Sequence, residues 1–138
     1  KFSIPANKTL ALGTWGNQDE HIGLWYNIES KRIRDNDSYS ARVSVRVDIT
    51  EDNLSKANGV ILSSDAWSRT NNCSSFAVKV WNKVCSTRLS AGIINTPKTL
   101  GANIKKVDGY VTGFDVPHHY KIYYANGSQS PVLSRILN

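Results

Sequence analysis

Methionine is absent from this sequence, cysteine occurs twice, histidine three times and proline four times. Two cysteines do not make the disulfide framework on which small secreted domains depend. Nor do Cys73 and Cys85 pair with each other. On one helix they stand about 18 Å apart at roughly 1.5 Å per residue, whereas a disulfide needs Cα atoms within about 7 Å. No Cys or His pair has the spacing of a zinc site, so no metal and no cofactor is expected. No apolar run approaches the roughly 18 residues of a membrane span, and no signal-peptide pattern opens the chain. The first residue is Lys1; with methionine missing, the expectation is a single domain, residues 1–138, excised from a longer polypeptide.

What is present describes a folded domain. Hydrophobic residues make up 40% and charged residues 20% of the 138. That is too much apolar and too little charged material for a disordered chain, and long enough for one core. The net charge is +6 and the pI about 9.4, which admits nucleic acid, anionic lipid or an acidic protein as partner. The basic residues are scattered, however. Their densest group, Lys31, Arg32 and Arg34, is followed at once by Asp35 and Asp37, as on a solvated face. The charge alone does not make a nucleic-acid binder. Asn-x-Ser/Thr sequons at Asn7, Asn36, Asn53, Asn72 and Asn126 are what chance supplies in a chain rich in Asn and Ser.

The patterning predicts an α+β domain with an antiparallel sheet. Residues 20–28 are aromatic and apolar and read as a strand; the polar stretch 29–40 reads as a loop. Residues 41–49 alternate strictly, with Val43, Val45, Val47 and Ile49 on one face and Arg42, Ser44, Arg46 and Asp48 on the other. This predicts a half-buried strand, paired with 20–28 across the long loop. Thr50, followed by Glu51 and Asp52, marks a helix start, running to about Leu62 and weakened by Gly59. After a polar segment, residues 73–84 place Cys73, Phe76, Ala77, Val80 and Val84 at helical spacing. Thr96-Pro97 opens a short helix over 97–106. Residues 109–114, 119–125 and 131–137 read as strands, with Asn126-Gly127 as the hairpin turn between the last two.

Cys73 carries the most chemistry. It sits where the polar loop Ser68–Asn72 becomes an amphipathic helix. There a cysteine meets the positive end of the helix dipole and the unpaired N–H groups of the first turn, which favour a thiolate nucleophile. The same N–H groups suit an oxyanion. Cysteine catalysis also needs a base, usually a histidine brought in by the fold. His21 opens a strand after the polar turn Asn17-Gln18-Asp19, where a side chain can face a cleft. His118 and His119 follow Pro117 in a late loop and read as exposed. The alternative reading makes Cys73 the first apolar knob of its helix and His21 a structural residue.

Asn72-Cys73-Ser74-Ser75-Phe76-Ala77, followed by Trp81, resembles the Asn-Cys-x-x-Phe nucleophile helix of circularly permuted papain-like enzymes. That group includes NlpC-type amidases and lecithin:retinol acyltransferase-like proteins. His21-Ile22-Gly23-Leu24-Trp25-Tyr26 is similar to the group's histidine strand, which there precedes the cysteine helix as it does here. The resemblance covers residues 12–106 and implies a papain-like sheet packed on two to three helices, with Cys73 as nucleophile and His21 as base. It implies a third, orienting residue on the strand beside the histidine. Asp48 fills that role if 41–49 returns beside His21, with Glu29 the second choice; Asp48 otherwise only helps to begin the next helix. The oxyanion donors would be the Cys73 N–H and the amide of Asn71 or Asn72, and Trp15 would line the cleft. Cys85 is a bystander.

The leading expectation is therefore a cysteine-dependent hydrolase or acyltransferase acting on a peptide or other amide, a glutamine side chain, or a lipid ester. The resemblance further suggests a toxin domain, soluble, secreted or delivered into a target cell within a larger protein and met there by an immunity protein. Two rivals stand beside it. One is a basic, metal-independent RNase using histidines as general acid and base. The other is a non-catalytic module whose Trp and Tyr residues form a recognition face.

Overall fold

Residues 23–26 are buried on every side, and the rest of the chain is arranged around them. The computed structural model describes residues 9–35, 39–64, 66–115, 121–126 and 129–138. In chain order its elements are β1 (Leu12–Trp15), β2 (Gly23–Tyr26), α1 (Ile28–Asp35), β3 (Val43–Ser44), α2 (Glu51–Ser63), α3 (Cys73–Val84), α4 (Pro97–Ile104), β4 (Val111–Thr112), β5 (Tyr123–Ala125) and β6 (Val132–Leu133). Among the described residues the fold is α+β, with an antiparallel sheet ordered β1-β2-β5-β6 and a separate β3-β4 pair.

Residues opposite each other in an antiparallel ladder share a face. Leu12, Tyr26 and Tyr123 are therefore on one side together with Thr14, Leu24 and Ala125. That side packs on Ile61 of α2 and Phe76 and Val80 of α3. Trp15, Trp25 and Tyr124 are on the other side, against Ile28, Ile122 and Leu137. Leu24, Trp25 and Tyr26 are wholly buried, each contributing about 2 kcal/mol through loss of apolar surface to water. Two hydrophobic layers thus share one central strand.

A single residue ties off the end of that strand. Asn27 takes a left-handed φ of 72°, a conformation asparagine tolerates better than most residues. Its N–H donates to Ala11 O at 2.7 Å. Its Oδ1 accepts from Ala11 N at 3.1 Å and its Nδ2 donates to Lys121 O at 2.9 Å. The chain then turns directly into α1.

Helices α2 and α4 stand where their caps predict them, and α3 where the apolar spacing of 73–84 does. Thr50 Oγ1 accepts from Asn53 N, Asn72 Oδ1 from Ser74 N and Ser75 N, and Thr96 Oγ1 from Thr99 N, with Pro97 in the first turn of α4. The expected strand over 20–28 shortens to Gly23–Tyr26, and Ile28 together with residues 29–35, expected as loop, forms α1 instead. The helix is polar, burying only Ile28 and Ser30. It is held by the Ser30 hydroxyl donating to Asn27 O and by a Lys31–Asp35 ion pair at 3.0 Å.

The expected long strand over 41–49 is also corrected. Only Val43–Ser44 is extended in a ladder, and it pairs with β4. Both edges of β2 are already taken by β1 and β5, so the segment has no place beside residues 20–28. Its apolar face turns elsewhere: Val47 and Ile49 border a groove with Leu54 of α2 and Val80 and Trp81 of α3. The expected strands 109–114 and 131–137 shorten to β4 and β6; of 119–125 the described part begins at residue 121 and holds β5. The turn Asn126-Gly127 lies partly outside the described residues, as do His118 and His119 entirely. No helix among the described residues is long and apolar enough to cross a membrane.

Candidate functional site

The loop before α3 is fixed by asparagines. Ser68 N donates to Asn71 O, and Asn71 N to Ser68 Oγ at 3.1 Å. Asn95, at φ 56°, donates from Nδ2 to Thr70 O at 2.8 Å. Asn72 Nδ2 donates to Arg69 O at 3.0 Å and to Asn95 O. Its Oδ1 meanwhile caps Ser74 N at 3.0 Å and Ser75 N at 3.3 Å. Asn71 Oδ1 accepts from Ser75 Oγ at 3.1 Å. Of the amides expected as oxyanion donors, the Asn72 side chain is already engaged: both of its amide protons are spent on carbonyls. Asn71 serves the same loop.

This scaffold delivers Cys73, a free and exposed thiol, as the first residue of α3. Beside it is a cleft of about 310 Å³ lined by Thr14, Trp15, Gly16, Asn17, Trp67 and Cys73. The cleft lies at the Trp15/Gly23 end of the sheet, where β1 runs out. The aromatic ring of Trp67 lies over Gly16, so close that an added Cβ would stand 2.3 Å from a ring carbon. Trp15 is held from behind. Its indole N–H donates to Glu29 Oε1 at 2.8 Å, and the Arg32 guanidinium lies 5.7 Å from its ring centre. Burial pushes the Glu29 carboxyl above its ordinary range, against the opposing effect of the Trp15 hydrogen bond. The second oxygen of that carboxyl, Oε2, is buried and has no hydrogen-bond partner among the described residues.

His21 comes to the same end of the sheet, two positions ahead of Gly23, with its ring on the Trp25/Tyr124 face that Trp15 shares, opposite the face on which α3 packs. It stacks on Tyr124 at 5.1 Å between ring centres and lies 6.2 Å from Trp25. The Trp25 indole N–H donates to His21 O at 3.0 Å. His21 is not among the residues lining the Cys73 cleft. Asp48 does not stand beside it: its side chain is 94% exposed and 3.5 Å from Arg46, on the segment that β2 does not accept. Cys85 caps the far end of α3, and burial raises its thiol above the ordinary value. The structure thus joins Cys73 and Trp15 in one cleft, keeps His21 outside its lining on the face opposite α3, and leaves Asp48 in solvent.

Four cleft residues, Thr14, Gly16, Asn17 and Trp67, are not assigned to a site by the sequence reading. The alternation Leu12–Thr14 is the signal that could have marked Thr14 as an inward-facing polar residue. Trp67 gives no such sign within its polar loop. Among the described residues no cluster of three or more His, Cys, Asp or Glu could hold a metal ion. No protein-family model, curated protein or solved structure matches this chain.

Proposed function

We propose that this domain is a cysteine-dependent hydrolase or acyltransferase in which Cys73 is the nucleophile. The observation that carries the reading is an exposed thiol on the first residue of a capped helix, opening onto a cleft walled by two indoles. The first turn supplies N–H groups and a favourable dipole for the thiolate and for the oxyanion that follows its attack on a carbonyl. Acyl transfer to Cys73 and its resolution by water or another acceptor complete the reaction. The papain-like, circularly permuted relationship belongs to this proposal and rests on the Asn-Cys-x-x-Phe and histidine-strand motifs.

His21 is the base in this reading. It precedes the β2 ladder, which begins at Gly23, and the reading requires its imidazole on the cleft side when substrate is bound. The proposal extends, through the resemblance alone, to a toxin domain of a larger secreted protein with an immunity protein as partner. The net charge of +6 suits an acidic partner. The test is mass spectrometry of the protein after exposure to an activated ester. Acyl-Cys73 should form, vanish in Cys73→Ala, and slow by about 10²-fold or more in His21→Ala, as for loss of a general base. An intact, unacylated Cys73 would overturn the nucleophile reading; an unchanged rate in His21→Ala would remove His21 from it.

A further inference from the structure

Thr14 is 2% exposed, and its hydroxyl oxygen is buried with no hydrogen-bond partner among the described residues. It projects from β1 to the sheet face on which α3 packs, and it borders the cleft that holds Cys73. Buried hydroxyls are nearly always satisfied, so an orphan at the wall of a cleft is a group waiting for a ligand. Helix α3 leaves a matching vacancy. Of its first four N–H groups, Ser74 and Ser75 donate to Asn72 Oδ1 and Phe76 donates to Asn72 O. Among the described residues, the Cys73 N–H has no such partner. The asparagine cap therefore consumes every early donor of the helix except that of the cysteine itself.

We propose that the Thr14 hydroxyl and the Cys73 N–H together bind the carbonyl oxygen of an uncharged acyl group held between Trp15 and Trp67. This rests on Cys73 as the nucleophile and adds its partner donor and the class of acyl group. No lining residue of the cleft is charged, so a carboxylate or ammonium on the acyl chain would lose its hydration without gaining a counter-charge. An aliphatic or aromatic acyl chain meets indole surface instead. In the reaction the Cys73 sulfur bonds to the carbonyl carbon and the C=O π pair moves onto oxygen, where the two donors receive it. As the pair returns, the bond to the alcohol oxygen breaks. The alcohol leaves with the proton given up by the thiol, and the acyl group remains as a Cys73 thioester. Water cleaves that thioester to the acid and the free thiol.

The experiment compares two reactions of the same sulfur. Acylation by p-nitrophenyl butyrate passes through an oxyanion; alkylation by iodoacetamide is a displacement at saturated carbon and does not. Both are read at Cys73 by mass spectrometry, and their ratio within each variant cancels effects of folding and thiol exposure. Thr14→Val should lower the acylation-to-alkylation ratio by about 10²-fold, the usual effect of removing one oxyanion donor, while Thr14→Ser retains most of it. A ratio unchanged in Thr14→Val overturns the Thr14 assignment and leaves the nucleophile standing. Absence of acyl-Cys73 in the unaltered protein overturns both. A p-nitrophenyl succinate half-ester should acylate Cys73 at least about tenfold more slowly than the butyrate, as for an ion entering an apolar site; equal rates overturn the assignment to an uncharged acyl group.

Discussion

Glu29 Oε1 reaches the Trp15 indole N–H at 2.8 Å through a gap that exists because residue 13 is glycine. A Cβ on Gly13 would stand 1.9 Å from that oxygen. The relationship couples α1, on one face of the sheet, to a wall of the cleft at the end of β1. Gly13→Ala must therefore displace the carboxyl and with it the indole. The expected result is a loss of about 1–3 kcal/mol, typical of overpacking, together with a shift in tryptophan emission. Urea unfolding followed by fluorescence measures both; an unchanged midpoint would show that α1 yields without cost.

Burial raises the Glu29 carboxyl above its ordinary value of 4.5, and the sign of the pH dependence follows. Below the unfolded value the group is protonated in both states and its contribution is intact. As pH rises through the higher folded value, the folded protein must hold a buried carboxylate, and stability falls. Glu29→Gln keeps an oxygen for the Trp15 N–H and never ionises. The variant should melt higher than the unaltered protein at pH 8, with the difference shrinking at pH 4. Melting curves at the two pH values check this; a constant difference would mean that Glu29 does not titrate with folding.

The two thiols should separate cleanly by reactivity. Cys73 is exposed at the start of α3, whereas Cys85 is half-buried at its end with its thiol pushed up by burial. Limited iodoacetamide at pH 7 should modify Cys73 first and leave Cys85 mostly as thiol, because the thiolate is the reacting form. Peptide mapping at short times reads the ratio. Equal labelling would remove the reason for treating Cys73 as special.

Local signals made part of this architecture legible. Thr50 and the Thr96-Pro97 pair each announce a helix within a few residues, the apolar spacing from Cys73 announces another, and α2, α3 and α4 begin there. Cys73 at a helix start was legible for the same reason. Helix α1 was hidden because it buries only Ile28 and Ser30 and depends on Asn27 for its anchor. The alternation over 41–49 was real, but alternation names a buried face without naming what buries it. Val47 and Ile49 border the groove beside α2 and α3, and Asp48 goes to solvent. The side of the sheet taken by His21 depends on Tyr124, far along the chain, and no local pattern encodes that contact. Thr14 and Trp67 enter the site for a similar reason, through the meeting of β1 with the segment before α3.

Asn72 holds the Cys73 loop through four hydrogen bonds, two accepted by Oδ1 and two donated by Nδ2. Asn72→Ala removes an N-cap, worth about 1 kcal/mol, and also frees Arg69 O and Asn95 O. The combined loss should approach about 2–3 kcal/mol. Asn72→Asp preserves the cap and puts a carboxylate at the positive helix end, but offers no proton to either carbonyl. It should fall between Ala and the unaltered protein in denaturant midpoint. If Asp and Ala are equivalent, the cap contributes little and the two donated bonds carry the residue's role.

Gly16 tests whether the indole walls matter to chemistry at Cys73. The Trp67 ring covers it so closely that an added Cβ would lie 2.3–2.5 Å from three ring carbons. Gly16→Ala must lift Trp67 away, widening one side of the cleft while leaving the α3 cap untouched. Small reagents such as iodoacetamide should still find Cys73 at an unaltered rate, because the thiol and its helix are unchanged. A bulky aromatic alkylator such as N-phenyl iodoacetamide gains from stacking between Trp15 and Trp67 in the unaltered protein. In Gly16→Ala that advantage should fall several-fold, as expected when one aromatic contact worth about 1 kcal/mol is lost. Rates for the two reagents, measured side by side, decide the matter: if both change together, the substitution has disturbed α3 rather than the wall, and if neither changes, Trp67 does not hold what enters the cleft.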